Sequence, residues 1–156
     1  MCDGLIGCNL VTAQCDTTTL LGSSRRDYYD IQRWMSMANS ELLPNIGGVI
    51  LPLLGRHMAI RKNGEDCLRA FHADCKLLEK HLQKNRYLVG GQRTLADFFV
   101  VGTLVFAYMV FHKVFEAEYP RLAEWFVEIY EVPMFKDVAG ELHLLDMPFP
   151  TLPVDK

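Results

Sequence analysis

The chain has 156 residues; half of them are apolar, 22% are charged, and the formal net charge is −3. This length fits about one domain, and the composition is ordinary for a soluble globular protein. Acidic and basic residues are interspersed without a Lys/Arg-rich block, so binding to DNA or RNA is not favoured.

Five cysteines are present, but none of them forms a C-x-x-C pair: Cys2, Cys8, Cys15, Cys67 and Cys75. Their odd number and their spacing favour reduced thiols in a cytoplasmic protein. The amino-terminal residues lack the basic start and the long apolar run of a signal peptide. Residues 1–14 are predicted as one short helix or a strand remnant, followed by a loop.

The first long helix is predicted to begin at Ser24, because Ser24 and Asp27 have capping-box spacing. Apolar residues then step by three and four along one face: Tyr28, Ile31, Met35, Ala38 and Leu42. Pro44 is expected to end or kink this helix, since proline has no amide hydrogen. Residues 45–55 are interpreted as a second, shorter helical segment that ends near Gly55.

A second long helix follows a basic loop at residues 56–62. Asn63 and Asp66 again have capping-box spacing, and the same three–four periodicity continues through Leu68, Phe71, Cys75, Leu78 and Leu82. Two long amphipathic helices of this kind are expected to pack side by side.

The most informative segment spans residues 88–111, where Thr94 and Asp97 precede fourteen uncharged residues. Their spacing predicts a reciprocal helix N-cap, with Asp in place of the usual Glu. A helix that is apolar on every side is either a central core helix or a membrane span. Because fourteen residues fall short of the roughly 20 that cross a bilayer, we expect the central helix of an all-helical core, over residues 94 to about 113, and no membrane association.

Two further helices are predicted after the central one. Pro120 fits a first helical turn, with an apolar face at Leu122, Trp125, Phe126 and Ile129. Pro133 is expected to start a short last helix that Gly140 closes, before a Pro-rich tail over residues 143–156. No β-strand pattern and no internal repeat are found.

The segment Tyr87-Leu88-Val89-Gly90, followed by Thr94-Leu95-Ala96-Asp97, resembles the capping motif of the glutathione transferase C-terminal domain family. Residues 27–55 are similar to the first long helix of that domain in translation elongation factor 1-gamma, especially its fungal forms. Residues 119–122 and 132–135 resemble later helices of the same subfamily. The resemblance covers residues 20 to 142 and implies an all-α glutathione transferase C-terminal-type bundle of five to six helices.

The resemblance also implies a domain organisation. Residues 1–22 are similar to a remnant of the interdomain helix and linker, and residues 23–142 form the helical domain. The thioredoxin-like domain, which carries the glutathione site in this family, is expected to be largely absent. No cofactor is therefore expected, and glutathione would be a co-substrate only if a thioredoxin-like domain is present.

Asp97 allows two interpretations, a general base or a structural cap, and its spacing to Thr94 favours the cap. No catalytic residue is expected in this chain. The histidines are scattered, and although His72 and Cys75 lie three residues apart, a third ligand is not evident, so no metal site is predicted.

Trp34 and Met37 lie on the first long helix, away from its apolar stripe. In complete transferases, part of this helix lines the pocket for the hydrophobic substrate and part faces the partner subunit. The resemblance therefore makes Trp34 and Met37 candidates for exposure in a pocket or at an interface.

Three functional hypotheses follow. The first is a non-catalytic binding and assembly module like the helical half of elongation factor 1-gamma, with a second copy or elongation-factor subunits as partners. The second is a glutathione transferase-like enzyme acting on small electrophiles, in a setting such as fungal secondary-metabolite biosynthesis. The third is a degenerate fragment without independent activity.

Overall fold

The computed structural model describes residues 18–56 and 64–145, together with Thr12. Within these ranges the chain is helical and contains no strand, which confirms the predicted all-α fold. The helices are α1 (Arg25–Met37), a π-helical segment (Ala38–Leu42), α2 (Leu43–Leu53), α3 (Gly64–Leu82), α4 (Leu95–Glu118), α5 (Pro120–Tyr130) and α6 (Pro133–Ala139). The predictions for residues 1–14, for the Asn63–Asp66 cap and for most of the Pro-rich tail fall outside the described ranges.

Helix α1 begins with the reciprocal cap that its sequence predicts. The Asp27 amide donates to Ser24 Oγ at 3.1 Å, and the Ser24 amide donates to Asp27 Oδ2 at 3.1 Å. The apolar stripe is buried from Ile31 onward, whereas Tyr28, its first residue, is 39% exposed. Tyr28 stands in the first turn of α1, one turn before Ile31 reaches the core, and it stacks edge-on against Tyr29.

Pro44 does not end the helix, contrary to one of the two outcomes expected for it. Proline in a helix clashes with the carbonyl four residues earlier, here that of Ser40. The chain widens into the π-helical segment immediately before Pro44, and a wider turn accommodates a ring without an amide hydrogen. Leu42 and Leu43 keep helical backbone angles, so α2 continues the path and adds Ile46 to the core.

The expectation that two long helices pack side by side holds only for part of their length. Helix α3 packs closely against α2 and the π-helical segment, whereas α1 packs mainly against α4. The buried Asn45 donates from Nδ2 to Asp74 Oδ2 at 2.8 Å and joins α2 to α3. A groove remains between α1 and the carboxyl-terminal half of α3.

Helix α4 is the central helix of the bundle. It extends to Glu118, beyond the predicted end, with a kink at Phe111, where φ is −120° and ψ is 23°. Its length and hydropathy would allow it to cross a membrane. It nevertheless packs against α1, α2 and α5, and Val100, Val101 and Leu104 are fully buried, as in the core helix of a soluble bundle.

The start of α5 is capped from another helix. Pro120 occupies the first helical turn, as predicted, and the Leu122 amide donates to the Glu79 carboxylate of α3 at 2.8 Å. Glu79 is buried, and its other oxygen accepts from Gln83. In return, the Arg121 guanidinium donates to the carbonyl of Leu82 at the end of α3. These bonds join the end of α3 to the start of α5.

Replacing Glu79 with alanine should therefore destabilise the fold by about 1–2 kcal/mol, because a buried amide loses its acceptor. Urea denaturation followed by circular dichroism measures the free energy of unfolding. Glu116→Ala is the matched control, since Glu116 is exposed, and it should change that free energy little. Equal effects of the two substitutions would contradict the capping role of Glu79.

Candidate functional site

The carboxylate at the head of α4 is completely buried and fully hydrogen-bonded. Asp97 Oδ1 accepts from the Leu88 amide at 2.9 Å and from Trp125 Nε1 at 3.2 Å. Asp97 Oδ2 accepts from the Thr94 amide at 2.8 Å and from the Thr94 hydroxyl at 2.9 Å. Thr94 and Asp97 thus form the capping box of α4. The same carboxylate also holds the preceding loop and α5.

This geometry assigns Asp97 a structural role. Burial raises the pKa of Asp97 above its ordinary value, and the hydrogen bonds from Leu88, Thr94 and Trp125 oppose that rise in part. Four donors from fixed parts of the fold occupy both oxygens. A general base needs an oxygen that can reach a substrate proton, and here both oxygens face the interior.

A second buried polar group lies between α3 and the junction of α4 and α5. His72 Nδ1 and the Tyr119 hydroxyl are 2.6 Å apart, and Glu118 Oε2 lies 3.9 Å from the same nitrogen. Burial lowers the pKa of His72, although the nearby Glu118 opposes this shift. Burial also raises the pKa of Tyr119, so its hydroxyl stays protonated and shares a hydrogen bond with His72 Nδ1.

The thiol of Cys75 lies close to this pair, but its surroundings do not activate it. Cys75 is buried, and burial raises the pKa of the thiol far above its ordinary value. A thiol acts as a nucleophile or a metal ligand in its thiolate form, which this environment disfavours. Across the described ranges, no group of three or more His, Cys, Asp or Glu side chains could hold a metal ion.

An open groove lies between α1 and α3, and we call it the α1–α3 groove. Its cavity volume is ≈ 480 Å³, within the range of small-ligand pockets. Three residues of α1, three of α3 and two of the segment that follows α3 line it: Arg33, Trp34, Met37, Leu77, Lys80, His81, Lys84 and Asn85. Trp34 and Met37, the predicted pocket or interface candidates, therefore lie in the same groove.

The exposure of Trp34 and Met37 differs from what their positions on the helix suggest. Met37 is half-buried, but Trp34 is only 6% exposed, so its expected exposure was wrong. The His81 ring packs edge-on against the indole with 4.8 Å between centroids, and the Arg33 guanidinium lies 5.8 Å from its centre. Trp34 Nε1 is buried without a hydrogen-bond partner. Trp34 therefore forms a wall of the groove.

The charged residues of the groove are all basic. Arg33, Lys80 and Lys84 line it, and no acidic residue does, although the whole chain is acidic. Arg33 is partly neutralised by Asp30 at 3.4 Å. The sequence does contain a signal for the α3 side, because Leu77, Lys80 and His81 share one helix face at spacings of three and four.

Comparison with known proteins agrees with this fold. The family described as "Glutathione S-transferase, C-terminal domain" matches residues 61–127. The glutathione S-transferase mdpJ of Emericella nidulans is 39% identical over 83% of this chain, and stcT of the same organism is 37% identical over 87%. The chain spans 62% and 64% of the lengths of these two relatives, which is less than two thirds.

Elongation factor 1-gamma is the other group of relatives. The Danio rerio protein is 30% identical over 88% of this chain, which spans 31% of its length. The crystal structure of the GST-like domain of elongation factor 1-gamma from Saccharomyces cerevisiae superposes with a TM-score of 0.78 at 26% identity. That match covers 93% of this chain and 69% of the yeast chain.

The bundle is a helical domain of the glutathione transferase C-terminal type, and residues 61–127 match that family. Within that family it is related both to fungal glutathione S-transferases and to elongation factor 1-gamma.

Replacing Asp97 with alanine should lower the free energy of unfolding by at least about 2 kcal/mol. Loss of a helix cap alone costs about 1 kcal/mol, and the Leu88 amide and Trp125 indole would lose their acceptor as well. Asp27→Ala, at the exposed capping box of α1, is the matched control and should cost clearly less. Chemical denaturation measures both variants, and an unchanged stability of Asp97→Ala would refute the structural role.

The half-buried His72 should make stability depend on pH. Because its pKa in the folded chain lies below the ordinary value of 6.5, unfolding takes up a proton between these two values. The free energy of unfolding should therefore fall as pH drops through 6.5 towards the lowered pKa of the folded chain, and His72→Gln should flatten this dependence. His143→Gln, at an exposed position, is the control and should not flatten it. An NMR titration midpoint for His72 above 6.5 would contradict this prediction.

Proposed function

We propose that this chain is a non-catalytic binding and assembly module of the glutathione transferase type. The observation that carries the proposal is the α1–α3 groove, which combines an apolar wall with an exposed basic rim. A site that binds a partner protein needs such a complementary surface, and it needs no activated nucleophile or acid–base group. In the cytoplasm, its partners would be proteins, either a second copy or subunits of an elongation complex.

The state of the buried polar and thiol side chains of the domain supports this proposal. Asp97 is occupied by four hydrogen bonds, and the thiol of Cys75 is kept protonated by burial. These groups stabilise the domain and offer no reactive atom at its surface. The relationship to elongation factor 1-gamma in both sequence and fold gives independent support.

A second candidate function is a glutathione transferase-like activity on small electrophiles. It is favoured by the 39% and 37% identities to the fungal transferases mdpJ and stcT. Under this alternative, glutathione is a co-substrate that requires a thioredoxin-like domain, and the helical domain contributes a wall for the electrophile. Such a wall acts by positioning the electrophile beside the bound thiol.

Glutathione binding and turnover by the chain itself test whether it is non-catalytic. We expect the purified 156-residue chain to pass through glutathione resin and to leave the rate of the reaction between glutathione and a chlorinated nitroaromatic unchanged. A complete fungal glutathione transferase, tested in parallel, should be retained and active. Retention of the chain together with turnover above the uncatalysed rate would reject the non-catalytic proposal and favour the transferase.

A further inference from the structure

We infer that a groove between α4 and α5 binds an arginine side chain of a partner protein. The guanidinium lies between the Tyr108 hydroxyl and the Glu116 carboxylate, and the aliphatic stem lies against Ala123 and Val127. We call this site the α4–α5 groove. It is a second surface of the domain, and the inference goes beyond the proposed function because it does not depend on whether the chain is catalytic.

The floor of the α4–α5 groove is apolar. On α5, Pro120, Ala123 and Val127 line it at spacings of three and four, so they share one helix face. Val127 is 41% exposed. The cavity volume of ≈ 620 Å³ leaves room for a side chain with an aliphatic stem. Arginine packs such a stem along apolar surface while its charged head stays at a polar edge.

Tyr108 supplies a polar group at the α4 side of the groove. The residue is only 4% exposed, and its ring stacks on Phe126 with 4.1 Å between centroids. Its hydroxyl has no hydrogen-bond partner among the described residues, although a buried tyrosine hydroxyl usually has one. The oxygen is not sealed inside the protein, and Tyr108 lines the groove. The hydroxyl is therefore available to a ligand in the groove.

The charged residues that line the groove are all acidic. Glu124 and Glu128, one turn apart on α5, already form ion pairs with arginines of this chain. Glu116 on α4 is exposed and forms no ion pair within the part of the chain that the structure describes. The groove thus offers one uncompensated carboxylate close to a hydroxyl without a partner.

The Tyr108 hydroxyl remains a neutral group beside this carboxylate. Burial raises the pKa of Tyr108, and the negative charge of Glu116 adds to the rise. A protonated hydroxyl keeps lone pairs that can accept a hydrogen bond. A cationic donor in the groove would therefore meet an acceptor at Tyr108 and a full negative charge at Glu116.

A guanidinium fits these two groups better than an ammonium or a metal ion does. Its five N–H donors lie in one plane, so one head group can donate to a carboxylate and to a hydroxyl at once. An ammonium is more strongly hydrated and less suited to a partly buried contact. No group of three His, Cys, Asp or Glu side chains among the described residues could hold a metal ion.

The same charges disfavour two other occupants of the groove. In a two-fold contact between copies through this face, the glutamates of one copy would oppose those of the other. The phosphates of a nucleic acid would likewise meet like charge. An arginine on a segment of a different protein is therefore the occupant that the charge pattern selects.

The test uses the full chain, isotope-labelled for NMR, and a short synthetic peptide with one central arginine between leucine and valine. Both ends of the peptide are blocked, so that terminal charges do not contribute. A second peptide carries citrulline instead of arginine, which keeps the shape of the side chain and removes its charge. Titration of each peptide gives a dissociation constant and shows which backbone amides shift.

We expect the arginine peptide to bind at least about fivefold more tightly than the citrulline peptide. The largest shifts should fall on α5 between Ala123 and Glu128. Glu116→Gln should remove the preference for arginine, because the amide keeps the shape of the side chain and loses its charge. Tyr108→Phe should weaken binding of the arginine peptide about threefold, since one hydrogen bond is lost.

Glu41→Gln is the matched control. Glu41 is another exposed glutamate without an ion pair in the described ranges, and it does not line the groove. This variant should retain the preference for the arginine peptide. Circular dichroism checks that each variant is folded. The comparison of the two peptides needs no variant, so it remains decisive even if Tyr108→Phe lowers stability.

Several outcomes would overturn the inference. These are no binding of the arginine peptide, equal binding of both peptides, shifts confined to another surface, a preference that survives Glu116→Gln, or self-association of the chain that Glu116→Gln abolishes. The glutathione assay is independent of this titration. Turnover there would reject the proposed non-catalytic function, whereas loss of the peptide preference would reject only arginine as the occupant of the α4–α5 groove.

Discussion

The hydrogen bonds to Asp97 are the interaction on which the rest of this bundle depends. One buried carboxylate receives donors from the Thr94 cap, the Leu88 amide and the Trp125 indole. It therefore fixes the start of the central helix, the loop that enters it and the side of α5 at once. Removing one such buried acceptor leaves several donors without partners, which makes this part of the fold cooperative.

A second carboxylate performs a comparable task elsewhere. Glu79 caps the start of α5 from α3, so the ends of those two helices depend on each other. The amide groups at the start of a helix lack partners within it. Here, the amide groups at the start of α4 are capped by residues next to them in sequence, whereas the start of α5 is capped by a residue 43 positions earlier. The bundle thus combines a local cap with a long-range cap.

This contrast explains how much of the molecule could be predicted from its sequence. The all-α fold and the apolar stripe of α3 follow from periodicity, and the turns at Pro120 and Gly140 follow from local chemistry. The cap from Glu79 and the indole bond to Asp97 depend on which helices meet, which periodicity does not reveal. Trp34 illustrates the same limit, because the ring that packs against its indole, His81, belongs to another helix.

The α1–α3 groove was predictable only in part. The sequence pointed to Trp34 and Met37. It did not show that Lys80 and Lys84 line the same groove, because that depends on how α1 and α3 lie relative to each other. The path from α1 into α2 runs through the π-helical segment, where the helix accommodates Pro44. Spacing alone predicted an end or a kink at Pro44, and it did not distinguish these from a local widening that keeps the chain helical.

The π-helical segment has a consequence for how the first long helix can change in length during evolution. A π-helical turn holds about one residue more than an α-helical turn for the same full rotation. Deleting one residue from Ala38–Leu42 would therefore narrow the wide turn while the faces of α1 and α2 keep their relation. The same deletion within α1 would instead turn the residues before it by about 100° relative to those after it. The wide turn is therefore the place in this helix where the loss of one residue disturbs the core least.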